Sequence, residues 1–379
     1  MIGFTKLLCG TATVAEALKG NTSEKLLQFS ATSPIVVWNA THKCNLRCKH
    51  CYITAGDKAM KSELTSEEGK ELIKDLAGMN VPVLLFSGGE PLIREDIFEL
   101  GKYAGSKGIR TVLSSNGTMI TKNIASKIKE TGFQYVGISI DGLPLTHNMF
   151  RGIDNAFEMA REGIENLKGV GVKVGVRFTI NKYNYHELRD VLKFVVESGV
   201  PRFCMYHLVY SGRGKEMAGD DITNNELMDV FNLLKEFTIE IHQKGIELEV
   251  LTTDNHADGV LIHRYIEENM PQRADEVMEL LRMHGGCSAG TKVANIGPSG
   301  NVHPCQFWTN KVLGNVREKR FSSIWNNTED EFLSMLRNKG AYLKGKCGEC
   351  QYKDVCGGCR VRAEAVYEDM WQEDPCCYI

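Results

Sequence analysis

The sequence predicts an α/β chain: an open, partial (β/α)6 barrel followed by a small cysteine-rich region that depends on metal. Three observations carry this. Short apolar runs alternate with helix-period segments six times between residues 34 and 216, the pattern of a parallel sheet wound by right-handed crossovers. Six units are two short of a closed barrel. From residue 285 the chain is rich in Gly and Cys and poor in long periodic segments, so it has little core of its own.

The elements follow in order. Residues 1–33 read as an N-terminal extension; Lys6 interrupts the apolar stretch of Met1–Gly10, which argues against a signal peptide. The expected strands of the barrel (34–216) are Ile35–Trp38, Val83–Phe86, Thr111–Leu113, Tyr135–Ile140, Val172–Ile180 and Arg202–Tyr206. The helices between them are Thr65–Ala77, Asp96–Gly105, Ala125–Lys129, Ala156–Leu167 and Tyr185–Val196. Thr65 with Glu68 forms a capping box at the start of the first. Residues 217–284 form a helical linker region: a helix at Asn224–Gly245, a strand at Leu248–Thr252, a polar stretch, and a helix ending near Met283. Residues 285–379 are the metal-dependent region.

Composition narrows the function. A net charge of −3 and a pI near 6.4 give no global attraction to nucleic acid or anionic membrane. No apolar run approaches the roughly 20 residues that span a bilayer. The expected address is the cytoplasm, a reducing compartment where clustered cysteines more often ligate metal than form disulfides. Of 13 cysteines, three lie within Cys44–Cys51 and eight within Cys287–Cys377. Cys9 and Cys204 stand apart.

Cys44, Cys48 and Cys51 have the spacing C-x3-C-x2-C directly after the first strand. Three such thiolates can bind three irons of a 4Fe–4S cube and leave the fourth open for chemistry. The triplet alone also allows a zinc site completed by His42 or His50. The second strand then ends in Ser87-Gly88-Gly89-Glu90-Pro91, where glycines admit a close ligand and a carboxylate can meet an ammonium.

This pairing of motifs resembles the radical S-adenosylmethionine (radical SAM) superfamily. The resemblance implies that a 4Fe–4S cluster on Cys44, Cys48 and Cys51 cleaves S-adenosylmethionine reductively to methionine and a 5′-deoxyadenosyl radical, which abstracts hydrogen from substrate. It implies that Gly88, Gly89 and Glu90 hold the cofactor amine, and that Tyr52 sits beside the adenine. Asn116, after the third strand, is a further cofactor residue. The same resemblance puts Ser139 at the ribose and Arg177 at the cofactor carboxylate; a charge in a barrel strand needs an anionic partner. Ser139 could equally be a packed strand serine.

Cys287 and Cys305 are followed by Cys347-x2-Cys350-x5-Cys356-x2-Cys359 and by Cys376-Cys377. This resembles the SPASM extension, which carries one or two auxiliary iron–sulfur clusters; a double zinc ribbon is the bland alternative. By that pattern Cys347, Cys350, Cys356 and one of the terminal pair hold one cluster, and Cys287, Cys305 and Cys359 the other. The usual extra cysteine between Cys287 and Gly300 is missing. That cluster therefore has an open iron or borrows Cys376, Cys377, Cys9 or Cys204.

Lys6–Thr11, Leu208–Gly214, Thr253–Gly259, Cys305–Trp308 and Arg360–Tyr378 resemble the tetrapyrrole-modifying branch of the superfamily, in the alternative haem and haem d1 pathways. The implied reaction removes acetate side chains from didecarboxysiroheme to give iron-coproporphyrin III. Removal of propionates, or decarboxylation of propionates to vinyls, are alternatives within the branch. A peptide-modifying maturase and a non-catalytic scaffold are alternatives outside it. The implied partners are a tetrapyrrole and an electron donor such as ferredoxin or flavodoxin. Arg213 is a candidate for substrate carboxylates, and Asp254 and His256 for a carboxylate or the substrate iron.

Overall fold

The computed structural model describes residues 1–14 and 33–379; residues 15–32 of the expected N-terminal extension lie outside the described residues. The chain opens with a two-residue strand β1 (Ile2–Gly3) and a short helix α1 (Phe4–Leu8). The six expected strands follow as β2 (Ile35–Thr41), β3 (Val83–Gly88), β4 (Arg110–Ser115), β5 (Tyr135–Ser139), β6 (Val174–Ile180) and β7 (Arg202–His207). From β3 to β7 each pairs in parallel with its predecessor. Between them run α2 (Ser66–Gly78), α3 (Ile97–Ser106), α4 (Lys122–Thr131), α5 (Pro144–Arg151), α6 (Ala156–Gly169) and α7 (Leu188–Glu197). The capping box of α2 is present in both directions: Thr65 accepts from the Glu68 amide and Glu68 from the Thr65 amide.

The sheet is wider than six strands. After the long helix α8 (Asn224–Gln243), β8 (Glu249–Thr253) pairs in parallel with β7, and β1 covers its free edge in antiparallel sense. At the other side β9 (Val293–Ile296) pairs in parallel with β2 and is followed by β10 (Asn301–His303) and β11 (Gly314–Asn315). The order is β1-β8-β7-β6-β5-β4-β3-β2-β9-β10-β11. Two bare edges of a six-stranded sheet would present unpaired N–H and C=O groups, and these additions satisfy them.

Within residues 34–284, two α-helices were not expected from the sequence. α5 hides its period because its inward residues include His147 and Arg151 beside Phe150. The polar stretch after β8 enters α9 (Ala257–Asn269), buried around much of its circumference in its first two turns, which erases the amphipathic stripe. It leads into α10 (Ala274–His284).

The strands face two environments. Val36, Trp38, Phe86, Leu113, Ile138, Phe178 and Phe203 point outward into the helix layer and form the main core. Val83, Val112 and Tyr135, with Ile35 and Leu85, form a separate small cluster on the inner face. Among the described residues no helix is long and apolar enough to cross a membrane.

Candidate active site

The three motif cysteines lie in the loop that leaves β2 at the C-terminal mouth of the barrel, where strand ends of such folds present their chemistry. Each sulfur faces an N–H donor. Leu46 N donates to Cys44 Sγ (3.4 Å), Arg151 Nη1 to Cys48 Sγ (3.4 Å) and Ala55 N to Cys51 Sγ (3.3 Å). Burial pushes the Cys44 thiol up to about 12, so a bound cation must supply the drive to ionise it. The loop is strapped down by Arg47 N to Arg151 O (3.1 Å) and Lys49 N to Phe150 O (2.9 Å).

Arg213 is part of the same strapping. Its Nε donates to Cys48 O (2.8 Å) and its Nη1 to Ala55 O (2.9 Å). Two of its five N–H groups are thus held by cluster-loop carbonyls, and its side chain also lines the cavity beside the cysteines. Gly212 precedes it at φ +54°, and a Cβ there would stand 2.4 Å from Cys51 O. Only glycine fits.

Sequence reasoning passed over the charge network beneath the loop. Asp141 pairs with Arg151 and lies 3.2 Å from His50 Nε2. Its Oδ1 accepts from Thr179 N (2.9 Å), and its own N–H donates to His147 Nδ1 (3.0 Å). Burial opposes ionisation of Asp141, but Arg151 and His50 hold its carboxyl below the usual carboxylate range. Burial, with Arg151 nearby, pushes His147 down to about 3. His50, a ligand in the zinc alternative, is thus turned towards Asp141. The missed signal was Phe150-Arg151-Gly152, a buried arginine inside an apparently polar helix.

The remaining residues expected at the cofactor converge on a cavity of about 150 Å³ lined by the three cysteines, Tyr52, Gly88, Gly89, Asn116, Ser139 and Arg177. Gly88 has φ +131°, and a Cβ on Gly89 would stand 2.2 Å from Lys43 O, so backbone replaces side chain at this wall. Glu90 lies behind, fully buried, accepting from Asn116 N (2.8 Å), Leu92 N (3.2 Å) and Ser115 Oγ (3.0 Å). A carboxylate has about four acceptor positions, and three of them are taken within the protein. Burial raises Glu90 to about 7. The Tyr52 hydroxyl donates to Asn39 Oδ1 (2.7 Å), and its ring meets Phe307 edge-on at 5.3 Å. Arg177 is bound by the Ser114 hydroxyl and lies over Gly137; among the described residues it has no carboxylate partner.

Arg177, Tyr206, Gln306 and Phe307 also line a second cavity of about 300 Å³ that fills the barrel interior. Its walls include Val37, Leu85, Val112 and Tyr135, and Asp254 and His256 both reach it. Asp254 is held at φ +71° with Oδ2 buried and unpartnered; burial raises its carboxyl to about 6. Asp258 does not share the cavity: it pairs with His207 (3.0 Å) and the Tyr378 hydroxyl.

Residues 38–195 match the radical SAM superfamily, and residues 287–351 match SPASM, an iron–sulfur cluster-binding domain. The chain is 46% identical to Fe-coproporphyrin III synthase of Methanosarcina barkeri, over all of this chain and 98% of that protein. It is 40% identical to pre-heme d1 synthase of Dinoroseobacter shibae, over 91% and 86% respectively. The chain belongs to the radical SAM enzymes with a SPASM domain. The crystal structure of Streptococcus suis SuiB bound to S-adenosylmethionine shares the fold at TM-score 0.72 and 18% identity, covering 96% of this chain and 82% of that one.

This radical SAM enzyme therefore uses S-adenosylmethionine and a 4Fe–4S cluster, with auxiliary iron–sulfur binding in the SPASM domain. The residues fit such groups: three N–H-supported thiols at one mouth and a glycine-walled cavity beside them. In the SPASM domain the cysteines separate into two groups. Cys305 lies within electrostatic reach of Cys287 and Cys359, and all three line the barrel cavity. Cys356 and Cys377 sense Cys347, and Cys377 also senses Cys350. Tyr352 N donates to Cys350 Sγ (3.3 Å) and Asp374 N to Cys347 Sγ (3.4 Å). Cys376 stands elsewhere, 3.1 Å from the Tyr210 hydroxyl and 3.4 Å from Asp221 Oδ2. Cys9 sits beside Arg273 at the end of α1, and Cys204 lies in β7, 3.9 Å from Met1 Sδ. The terminal motifs lock this domain to the barrel: Arg362 pairs with Asp374 (2.7 Å) and donates to Leu208 O and Asp254 O.

Proposed function

We propose that this enzyme removes acetate side chains from didecarboxysiroheme to give iron-coproporphyrin III, acting in the cytoplasm with a ferredoxin or flavodoxin as electron donor. The observation that carries the reading is the end-to-end 46% identity to a protein named Fe-coproporphyrin III synthase. The barrel cavity supports it, being apolar along its walls and joined to the cofactor mouth, as a large flat substrate with charged edges requires. The 40% identity to pre-heme d1 synthase favours propionate removal as the second reading.

In this reading Cys44, Cys48 and Cys51 hold the 4Fe–4S cluster, which with S-adenosylmethionine supplies the hydrogen-abstracting radical. Gly88, Gly89 and Glu90 hold the cofactor amine, Arg177 its carboxylate, and Tyr52, Asn116 and Ser139 its nucleoside. Arg151 keeps positive charge at Cys48, and Arg213 keeps the loop in place. Residues 34–216 act as the barrel, 217–284 as the linker and 285–379 as the SPASM domain. Cys347, Cys350, Cys356 and Cys377 hold one auxiliary cluster. Cys287, Cys305 and Cys359 would hold another with three thiolates, and Asp254 and His256, which line the same cavity, would meet substrate there. Phe307 and Tyr206 line both cavities, where cofactor and substrate would meet.

The test is Cys44→Ala, assayed anaerobically with strong reductant. Iron content is expected to fall by one cluster while the SPASM iron remains, and 5′-deoxyadenosine to disappear. Continued 5′-deoxyadenosine formation would remove the first site from the reaction.

A further inference from the structure

The barrel cavity has a second end, at the N-terminal rim of the strands, away from the cofactor mouth. Arg110 and Arg202 are the first residues of β4 and β7, and both line the cavity. The wall above them, Val37, Leu85 and Val112, is apolar. Cations at the floor of an apolar barrel need a reason, because interiors of this kind are ordinarily filled by branched aliphatic residues.

The cations of this rim differ in what they already hold. Arg202 is matched by Glu249, with Nε to Oε2 at 2.6 Å, and lies 5.2 Å over the Tyr135 ring. Lys292 donates its Nζ to Met283 O (2.6 Å) and His284 O (2.8 Å), closing the C-terminus of α10. Arg110 has neither. Among the described residues no carboxylate pairs with it, and its Nε is buried without a hydrogen-bond partner. Burial and the charge of Arg202 both weigh against its protonated form. A half-buried guanidinium facing another cation is unfavourable unless an anion joins them.

We propose that Arg110, with Arg202 across the rim, is a carboxylate-binding subsite for the edge of the substrate remote from S-adenosylmethionine. The inference rests on the tetrapyrrole reading above and deepens it. Four strand residues, about 13 Å, separate Arg110 from Ser114 beneath the cofactor cavity. A macrocycle bearing carboxylates on opposite edges reaches from one level to the other. One edge is then pinned at the floor while the reacting side chain is presented at the mouth. A planar, forked guanidinium suits a flexible carboxylate better than an ammonium would.

The site is tested by absorbance titration of the anaerobic, cluster-loaded protein with iron-coproporphyrin III and with its tetramethyl ester. The wild type is expected to bind the free acid and to bind the ester at least tenfold more weakly. Arg110→Gln is expected to weaken the free acid about tenfold and to leave the ester unchanged. Arg110→Lys recovers part of the loss, and circular dichroism with iron content verifies folding. Equal binding of the free acid by wild type and Arg110→Gln overturns the subsite while the functional reading stands. A wild type that binds neither compound overturns both.

Discussion

A single buried ion pair sets the electrostatics beneath the cluster loop. Arg151 touches both Asp141 and Cys48, so removing it strands a buried carboxylate. Arg151→Met should lower the stability of the apo-protein by about 3 kcal/mol, and Asp141→Asn in the same chain should recover much of it. Denaturant unfolding of the two single variants and the double checks this; additive losses would contradict the pairing. His147 gives a pH signature. Its folded pKa, about 3, lies below the ordinary 6.5, so the unfolded chain binds the extra proton and stability falls as pH drops below about 6.5. Between pH 7 and 5.5 the wild type should lose about 1 kcal/mol more than His147→Gln. Cys44, Cys48, Cys51, Gly88 and Gly89 were legible in the sequence because their spacing is itself the chemistry. Arg151 was not, since its role depends on a fold that brings residue 151 to residue 48. The hold of Arg213 on the cluster loop was hidden for the same reason: its carbonyl partners, Cys48 and Ala55, are joined to it only by the fold.

At the scale of elements, the inner faces of β5 and β6 are thinned to make room. Gly137 lies under the Arg177 side chain, and a Cβ on Gly175 would stand 2.0 Å from the Tyr135 hydroxyl. Both side chains are laid against glycine instead of projecting into the barrel. Gly175→Val should push Tyr135 into the cavity and weaken iron-coproporphyrin III binding about tenfold or more, while the outward core, built on Val174 and Val176, keeps the sheet intact. Unchanged binding, measured by absorbance titration with folding verified by circular dichroism, would show that the cavity is not the binding site. The alternation of apolar runs and helical segments made the six strands legible. Of the flanking strands, β8 was legible as Leu248–Thr252; β1, β9, β10 and β11 were not, because strands of two to four residues carry too few side chains for a period to register. α9 was hidden for the opposite reason, its first turns being buried on several sides.

Over the whole molecule, the SPASM domain closes the barrel and brings three cysteines to its cavity. The sequence left open which of Cys376 and Cys377 ligates; Cys377 lies within electrostatic reach of Cys347, Cys350 and Cys356, while Cys376 meets Tyr210 and Asp221. Cys377→Ala should therefore remove one auxiliary cluster's iron and its spectrum, and Cys376→Ala should remove neither. If both variants lost iron, each from a different cluster, the open iron at Cys287, Cys305 and Cys359 would be excluded. The domain order was legible from cysteine spacing, and the terminal motif's part in it was not: Arg362, held by Asp374 within the SPASM domain, shows its purpose only when its bonds to Leu208 O and Asp254 O are seen. The measurement that bears most directly on the whole account is an anaerobic reaction with didecarboxysiroheme, followed by mass spectrometry of the tetrapyrrole. The account predicts two successive losses, each of one acetate side chain, ending at iron-coproporphyrin III and accompanied by 5′-deoxyadenosine. Loss of propionate mass instead, or an unchanged substrate while the cofactor is cleaved, would contradict it.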